Sequence, residues 1–234
     1  MPTEVALDFD PDADTVAARF TPRQWEGRSW EAAGTYIADD DFAGSNITND
    51  PASPNQFQVA EDPASLCDCS YLSWGTWNAS IDANGTTYSA DAGYWVVGQM
   101  TAQADLPLSG EATYNGTVIG TVSDDQGITP DIRGDFTATI DFADGLGTVQ
   151  ISGFAGRSFG DDNLDINNMS EWAFAGALGD GADLTGEYQA GFASDGIDPA
   201  AAMIGTFSVE DPNAGWSASG VFGGTRDGTG GTPP

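Results

Sequence analysis

The sequence predicts an all-β protein: an antiparallel, up-and-down β-barrel of about eight strands that follows a small N-terminal handle or cap. Two observations lead to this fold class. From residue 66 onward, short runs alternate apolar and polar residues, which is the two-residue period of a half-buried strand. Gly, Asp and Asn separate these runs about every 8–12 residues, the turn spacing of sandwiches and barrels.

Three segments follow from this pattern. Residues 1–65 form a predicted strand and loop segment, the handle or cap. Residues 66–227 form the barrel, and residues 228–234, GTGGTPP, form a flexible tail. In the first segment, alternation over residues 30–36 predicts a strand, and residues 13–19 are predicted to form a short helix.

The clearest predicted hairpin joins residues 133–142, RGDFTATIDF, to residues 148–154 through the turn sequence Asp144-Gly145. With residues 71–82 and 93–102, about nine strands are predicted between residues 71 and 226. The inward positions among them are Ala112, Tyr114, Val118, Val122, Phe136, Ala138, Ile140, Phe142, Trp172, Phe174, Leu178, Leu184, Tyr188, Ala190, Phe192, Met203, Phe207, Val209, Trp216, Ala218 and Phe222.

Glycine recurs on these inward faces, and this favours a barrel over a sandwich. Glycine weakens a strand interior unless a bend or a close backbone approach requires it. Repeated glycine kinks curl a sheet until it closes, and closure removes the free edges. A small barrel of this kind is filled by side chains, which leaves little room for a large ligand. The glycines concerned are Gly116, Gly120, Gly176, Gly186, Gly205 and Gly220.

The composition excludes several function classes. Lys+Arg is 6 against an Asp+Glu of 36, for a net charge of -30, and all six basic residues are arginines. Such a surface repels phosphate backbones and anionic membranes, so no nucleic-acid partner is expected. A saline setting fits, because salt screens the self-repulsion of the chain. The chain has no histidine, so a Ser-His-Asp triad or a histidine zinc site cannot be built.

No run of ~20 apolar residues occurs, and therefore neither a transmembrane helix nor membrane insertion is predicted. Partners are expected among proteins or glycans, with neighbouring domains or further copies of the chain in a surface assembly as another possibility.

Both cysteines lie in the stretch LCDCSYLSWGTW, as Cys67 and Cys69. Two thiolates without histidine or further cysteines are a poor metal set. Redox motifs normally separate their cysteines by two residues, whereas here one residue intervenes. In an extended strand the two Cα atoms would be about 6.6–6.8 Å apart, near the outer limit for a disulfide. A local disulfide, which requires a kink in the chain, and two free thiols both stay open.

A calcium site is one hypothesis for Asp161, Asp162 and Asp165, within the stretch GDDNLDINN. The stretch is predicted to be a loop between two strands, where carboxylates and carbonyls could gather around Ca²⁺. Chance clustering is the alternative in a chain with this many acids. Paired carboxylates could in principle also hydrolyse a glycosidic bond, but no particular pair is marked by its surroundings.

Two tryptophans of the same stretch have opposite strand parity. Trp77 is expected to point into the core. Trp74 either packs under the N-terminal segment or is exposed as a partner-binding residue for protein or carbohydrate.

Several stretches, which together span roughly residues 66–226, form a recognisable set: LSWGTW, GYWVVG, GEATYNGTVIGTV, RGDFTATIDF, IGTFSV and GWSASGVFGGTR. This set resembles the barrel domain of transferrin-binding-protein-B-like surface proteins. Similar barrels occur near the C-terminus of long bacterial surface proteins with a FecR-type domain. The resemblance implies an eight-stranded antiparallel barrel, often with an N-terminal handle, displayed outside the cell. It also implies that variable loops bind host proteins or haem carriers.

The favoured hypothesis is a non-enzymatic extracellular module of a bacterial surface or secreted protein, which acts as a binding or structural spacer domain without a required cofactor. Its loops would carry recognition. One alternative is a small-ligand carrier that uses the barrel mouth. Another is an acidic glycan-active enzyme.

Overall fold

A computed structural model describes residues 3–10, 15–22, 30–34, 46–47, 56–59, 65–67, 69, 71–83, 86–170 and 172–227, with side chains for 65–67, 69, 71–76, 93–170 and 172–227. The chain divides into two compact units. One comprises Met1–Asp62 and Trp74–Trp95, and the other comprises Pro63–Ser73 and Val96–Pro234. The predicted tail, residues 228–234, lies outside the described residues.

The first unit contains a three-stranded antiparallel sheet of β1 (Thr3–Asp10), β2 (Thr15–Pro22) and β3 (Trp30–Gly34). The strand predicted over residues 30–36 is confirmed for residues 30–34. The helix predicted over residues 13–19 is wrong, because β2 pairs with β1 from Thr15 to Pro22. Its β-branched and aromatic residues favour a strand once partners are present on both sides.

A four-stranded sheet has the order β4 (Asn46–Ile47), β5 (Gln56–Val59), β6 (Leu72–Ala83) and β7 (Thr86–Gly98). The strands β6 and β7 were predicted to belong to the barrel, and that assignment is wrong. Alternation reports that a segment is a strand with one buried face. It carries no information about which strand lies alongside, so the local pattern cannot assign a strand to a sheet.

Eight strands form the closed barrel, each antiparallel to the next, and β15 pairs with β8 to close it. The predicted all-β fold with an eight-stranded antiparallel barrel is confirmed. Whether residues 66–227 behave as one domain in solution stays a prediction. The strands are β8 (Glu111–Asp124), β9 (Gly127–Asp141), β10 (Leu146–Phe154), β11 (Arg157–Asp165), β12 (Phe174–Gly179), β13 (Thr185–Ala193), β14 (Ala202–Asp211) and β15 (Trp216–Arg226).

The interior faces of the barrel pack into one apolar cluster, in which nearly all predicted inward positions are buried. The rings of Phe136 and Phe222 stack with centroids 4.6 Å apart, and Phe154 meets Phe207 edge-on at 5.4 Å. Each such pair adds about 0.5–1.5 kcal/mol beyond the burial itself. Trp172 is the exception among the inward predictions. It precedes β12 and is 49% exposed.

Glycine makes room for these rings. A Cβ on Gly205 would overlap the ring of Phe222, which lies on the neighbouring strand. The predicted link between inward glycines and close approach is confirmed here, because a methyl group would push the ring out of the core.

A short segment ahead of β6 crosses the outer wall of the barrel. The carbonyl of Leu66 accepts from the backbone N–H of Thr117 on β8 (3.1 Å), and the carbonyl of Ser65 accepts from Arg133 on β9 (3.2 Å). Farther along, the segment packs against the outer faces of β13 and β14. That outer cluster consists of Cys67, Cys69, Leu72, Ala193, Ala202 and Ile204.

Among the described residues, no helix combines the length and the apolar character needed to span a membrane.

Candidate functional site

The two ends of the barrel differ in their connections. At one end, called the short-turn end, residues 125–126, 155–156, 180–184 and 212–215 join the strands. At the other, called the long-loop end, residues 142–145 form a short connection, but residues 166–173 and 194–201 form eight-residue loops. Long loops on a rigid scaffold are where proteins usually place recognition residues, so the long-loop end is the candidate site.

Hydrogen bonds join the loops of the long-loop end to one another. Asn167 donates through Nδ2 to the carbonyl of Asp144 (2.9 Å), which links two neighbouring loops. Gln103 lies in a single 3₁₀ turn and donates to the carbonyls of Ile166 and Asn167, both at 3.0 Å. The hydroxyl of Thr101 donates to the carbonyl of Pro199 in the third loop. The loops are therefore held as one surface before any partner binds, which lowers the entropic cost of binding.

The loop of residues 194–201 is also fixed internally. Oδ1 of Asp195 accepts from the backbone N–H groups of Ile197 and Asp198, both at 2.8 Å. These bonds, from Asp198 first and then Ile197, hold the pKa of Asp195 below its ordinary value. Asp198 pairs through Oδ2 with Arg226 at 3.2 Å. The carboxylates thus stabilise a turn that projects Ile197 outward.

Large apolar side chains are exposed on this end. Leu108 is 89% exposed and Ile197 86%, while Leu146 and Trp172 are 52% and 49% exposed. They are four of the six exposed large apolar side chains among the described residues. We call these four residues the loop face. Scattered exposed apolar residues are ordinary, but their concentration on a pre-formed set of loops is typical of an interaction surface.

The surroundings of the loop face are acidic. Arg226 is the one arginine at this end among the described residues, and it is paired with Asp198. Between Glu111 and Asp227 the sequence has 19 acidic residues and three arginines. Among the described residues, the exposed carboxylates at this end are Asp105, Glu111, Asp144, Asp195 and Asp227.

The predicted calcium residues Asp161, Asp162 and Asp165 lie within β11, so their placement in a loop is wrong. The wrong placement arose because polar residues dominate the outward face of this strand. Asp161 lies on the same inward face of β11 as Phe159, two residues earlier. A register shift in the pairing with β10 then separates Asp161 from Leu164. No group of three or more metal-ligating side chains forms among the described residues. Calcium binding stays a prediction, without the shared loop that suggested it.

The oxygens of two of these carboxylates already accept hydrogen bonds within the protein. Asp161 accepts from the backbone N–H of Asn163 (2.8 Å) and from the hydroxyl of Tyr188 (3.0 Å). Asp165 accepts from the backbone N–H of Asn167 (2.9 Å) and from Nδ2 of Asn168 (2.8 Å). Both carboxylates therefore have a structural role as hydrogen-bond acceptors within the protein.

Trp74, the predicted partner-binding residue, is 7% exposed. Its Nε1 is buried and has no hydrogen-bond partner among the described residues. It offers little surface to a partner in this structure, and its role in binding stays a prediction. The side chain of Trp77 lies outside the described residues.

Cys67 and Cys69 are bonded to each other, with Cα atoms 5.3 Å apart. The chain turns between them, because the backbone N–H of Cys69 donates to the carbonyl of Cys67 at 2.8 Å. This turn supplies the kink that the sequence argument required for a local disulfide. Both residues are buried against the outer faces of β13 and β14.

Sequence reasoning missed the loop face. Trp172 was assigned to a strand, because it falls in phase with Phe174 and Leu178. Ile197 stands between Asp195-Gly196 and Asp198-Pro199, and an apolar residue flanked by two turn sequences is a signal that could have been used. No comparable signal marks Leu108.

An N-terminal pair of sheets followed by a closed eight-stranded antiparallel barrel defines the class of the protein. Solved structures of transferrin binding protein B share this fold. The isotype 1 protein from serogroup B Neisseria meningitidis has a TM-score of 0.53 and 12% identity, over 96% of this chain and 52% of that one. A double mutant of the vaccine antigen from Haemophilus parasuis has a TM-score of 0.51 and 14% identity, over 95% and 53%.

The barrel is therefore a transferrin-binding-protein-B-like barrel in fold. The chain spans about half the length of the structures that it matches. No protein-family model matches the sequence, and no curated protein matches it either.

Proposed function

We propose that this chain is a non-enzymatic binding module of a bacterial cell-surface or secreted protein, and that the loop face contacts its partner. The observation that carries the proposal is the concentration of exposed apolar side chains on hydrogen-bonded loops at one end of the barrel. The likeness to transferrin binding protein B, a vaccine antigen in one of the solved structures, supports an exterior location. Transferrin itself is not carried over to this chain.

The packing of the barrel weighs against the small-ligand carrier. Aromatic rings occupy the interior from end to end, with Tyr114, Phe192 and Phe222 all fully buried. The mouth at the long-loop end is crossed by the segment that contains Thr101 and Leu106, both buried. A carrier needs a concave pocket that encloses most of its ligand.

The ionisable groups give no support to the glycan-active enzyme. A general acid in a glycosidase needs a carboxyl group whose pKa is raised. The described carboxyl groups with shifted pKa values are Asp180, Asp195 and Asp211, and all three are lowered by hydrogen bonds. These carboxylates serve the turns that they hold.

Site-specific photo-cross-linking tests the proposal. A benzophenone amino acid is placed at position 172 on the loop face, or at position 128 on the short-turn end, where Ile128 is 59% exposed. Intact cells that produce the chain are irradiated, and the protein cross-linked to it is identified. That protein is then purified, and its binding to the chain is measured. We expect adducts from position 172 and not from 128, and weaker binding by the Trp172→Ser/Ile197→Ser variant. Equal adducts from both positions would contradict the proposal.

The surface location is tested separately. We expect protease added to intact cells to remove the chain, while a cytoplasmic marker protein survives. Protection of the chain until the cells are lysed would contradict exterior display.

A further inference from the structure

We infer that the partner surface for the loop face is a cationic protein segment in which arginine or lysine side chains alternate with apolar ones. This inference rests on the proposed function and adds the chemistry of the partner. It follows from two independent properties of the long-loop end, its apolar side chains and its unbalanced charge.

The apolar property requires an apolar counterpart. Ile197 and Leu108 expose nearly all of their surface, and Trp172 about half. Covering such side chains contributes about 25 cal/mol for each Å² of apolar surface removed from water. A purely ionic partner would leave this surface in water, and the gain would be lost.

The charge property selects cations. Five carboxylates are exposed at this end in the part of the chain that the structure describes, and the arginine there is already paired. An acidic partner would meet like charge across the whole interface, which costs affinity and slows association. A cationic partner is attracted over a distance of about 8–10 Å at physiological salt.

The closeness in sequence of the carboxylates and the exposed apolar side chains favours a protein partner over a lipid surface. Asp105 and Asp195 lie on the same connections as Leu108 and Ile197, and Asp144 lies two residues before Leu146, the first residue of β10. Insertion of Ile197 into a bilayer would bring Asp195 to the headgroups, where an anionic leaflet repels it. A cationic, partly apolar protein segment satisfies both kinds of side chain at once.

Synthetic peptides are the probes for the test. Three peptides of about 12 residues alternate Arg with Leu, Arg with Ser, or Glu with Leu, a length that could span several loops in extended form. Their affinity for the full chain is measured by calorimetry at low and physiological salt. We expect the Arg/Leu peptide to bind at least about tenfold more tightly than the Arg/Ser peptide, and the Glu/Leu peptide not to bind.

Matched variants locate the binding. Trp172→Ser with Ile197→Ser should remove the tenfold advantage of leucine, whereas Ile128→Ser at the short-turn end should leave it unchanged. The triple variant Asp105→Asn/Asp144→Asn/Asp227→Asn should bind the Arg/Leu peptide more weakly, and the salt dependence of that binding should be smaller. Asp125→Asn, Asp183→Asn and Glu210→Gln together, an equal charge change at the short-turn end, should have both effects to a much smaller degree. Circular dichroism and melting curves verify that each variant is folded.

Each contrary result overturns the inference. If the triple variants at the two ends weaken binding of the Arg/Leu peptide equally, the peptide responds to net charge alone. Retention of the leucine advantage in the Trp172→Ser/Ile197→Ser variant would exclude the loop face. Trp172-dependent binding to phosphatidylcholine vesicles, without a preference for the Arg/Leu peptide, would assign the surface to lipid. If any of these occurs while position 172 still cross-links a purified partner, the proposed function stands and only the partner chemistry is wrong.

Discussion

The hydroxyl of Tyr188 on β13 donates a hydrogen bond to Oδ2 of Asp161 on β11, at 3.0 Å, across the intervening strand β12. The register between β11 and β12 contains a single residue pair, Gly160 with Gly179. The side-chain bond therefore spans the part of the barrel wall where the ladder is shortest. Burial, and then the charge of Asp161, raise the pKa of the Tyr188 phenol, so it stays protonated and able to donate.

Gly176 allows this bond, and its replacement is the first prediction. A Cβ at this position would overlap Oδ2 of Asp161 and the ring of Tyr188. We expect Gly176→Ala to destabilise the fold by about 1–3 kcal/mol, the usual cost of overpacking a core. Gly179→Ala on the same strand is the control, since its nearest contact would be an ordinary 3.4 Å. Denaturant unfolding gives both values, and equal stability of the two variants would contradict the prediction.

The second prediction concerns Arg157 at the short-turn end. Its guanidinium pairs with Asp211 at 2.9 Å and lies 4.5 Å from the centre of the Trp216 ring. We expect Arg157→Met to lower Tm. The Tm of Arg157→Lys should lie between those of the wild-type chain and the methionine variant, because lysine keeps the charge but loses the planar stacking. Arg133→Met is the control, as Arg133 is exposed and bonds a backbone carbonyl. A fall in Tm as large in the control would contradict a specific role for Arg157.

The third prediction is a loss of stability in acid. Hydrogen bonds from Ala182 and Leu184 lower the pKa of Asp180, and bonds from Asp198 and Ile197 lower that of Asp195. A carboxyl group with a lowered folded pKa contributes stability that is complete above its ordinary value of 3.8. That contribution is lost as the pH falls through the folded pKa.

We therefore expect the free energy of unfolding to decrease as the pH falls below the ordinary aspartate range. Asp195→Asn keeps an acceptor oxygen but cannot titrate, so its acid-induced loss should be smaller than that of the wild-type chain. Titration of stability by denaturant unfolding at several pH values measures both. An identical pH dependence of the two proteins would exclude a contribution from Asp195.

The fourth prediction is that Cys67 and Cys69 are oxidised and contribute modestly to stability. Intact mass under non-reducing conditions should be about 2 Da below that of the reduced chain, because one disulfide removes two hydrogens. So short a loop stabilises less than the about 3 kcal/mol of a 15-residue loop. Reduction should therefore lower Tm only slightly. Alkylation of the denatured, unreduced chain at either cysteine would refute the bond.

The fifth prediction tests calcium at Asp161, Asp162 and Asp165. If the ion is bound there, EDTA lowers Tm, and excess Ca²⁺ restores it. Asp162→Asn with Asp165→Asn should abolish that difference, while Asp125→Asn with Asp183→Asn should keep it. An unchanged Tm in EDTA would contradict the prediction that the protein binds calcium.

The period-two pattern was sufficient to predict most strands of the barrel and nearly all of their inward positions. Phe136, Ala138 and Ile140 are buried as their alternation requires, because side chains on one strand necessarily alternate between two faces. The pattern failed at β11, where acidic residues outnumber apolar ones and a register shift interrupts the alternation before Leu164. It also could not assign β6 and β7 to their own sheet, since strand pairing is decided by distant segments.

The sequence by itself determined the fold class, the acidic character and the missing histidine chemistry, because these depend on residue type and local spacing. Only the tertiary structure decided which side chains meet. It brought Tyr188 to Asp161 across a glycine, and it placed Trp172 and Ile197 at one end of the barrel. The candidate site could not be read from the sequence, because the loops that form it are far apart in the chain and become neighbours only when the barrel closes.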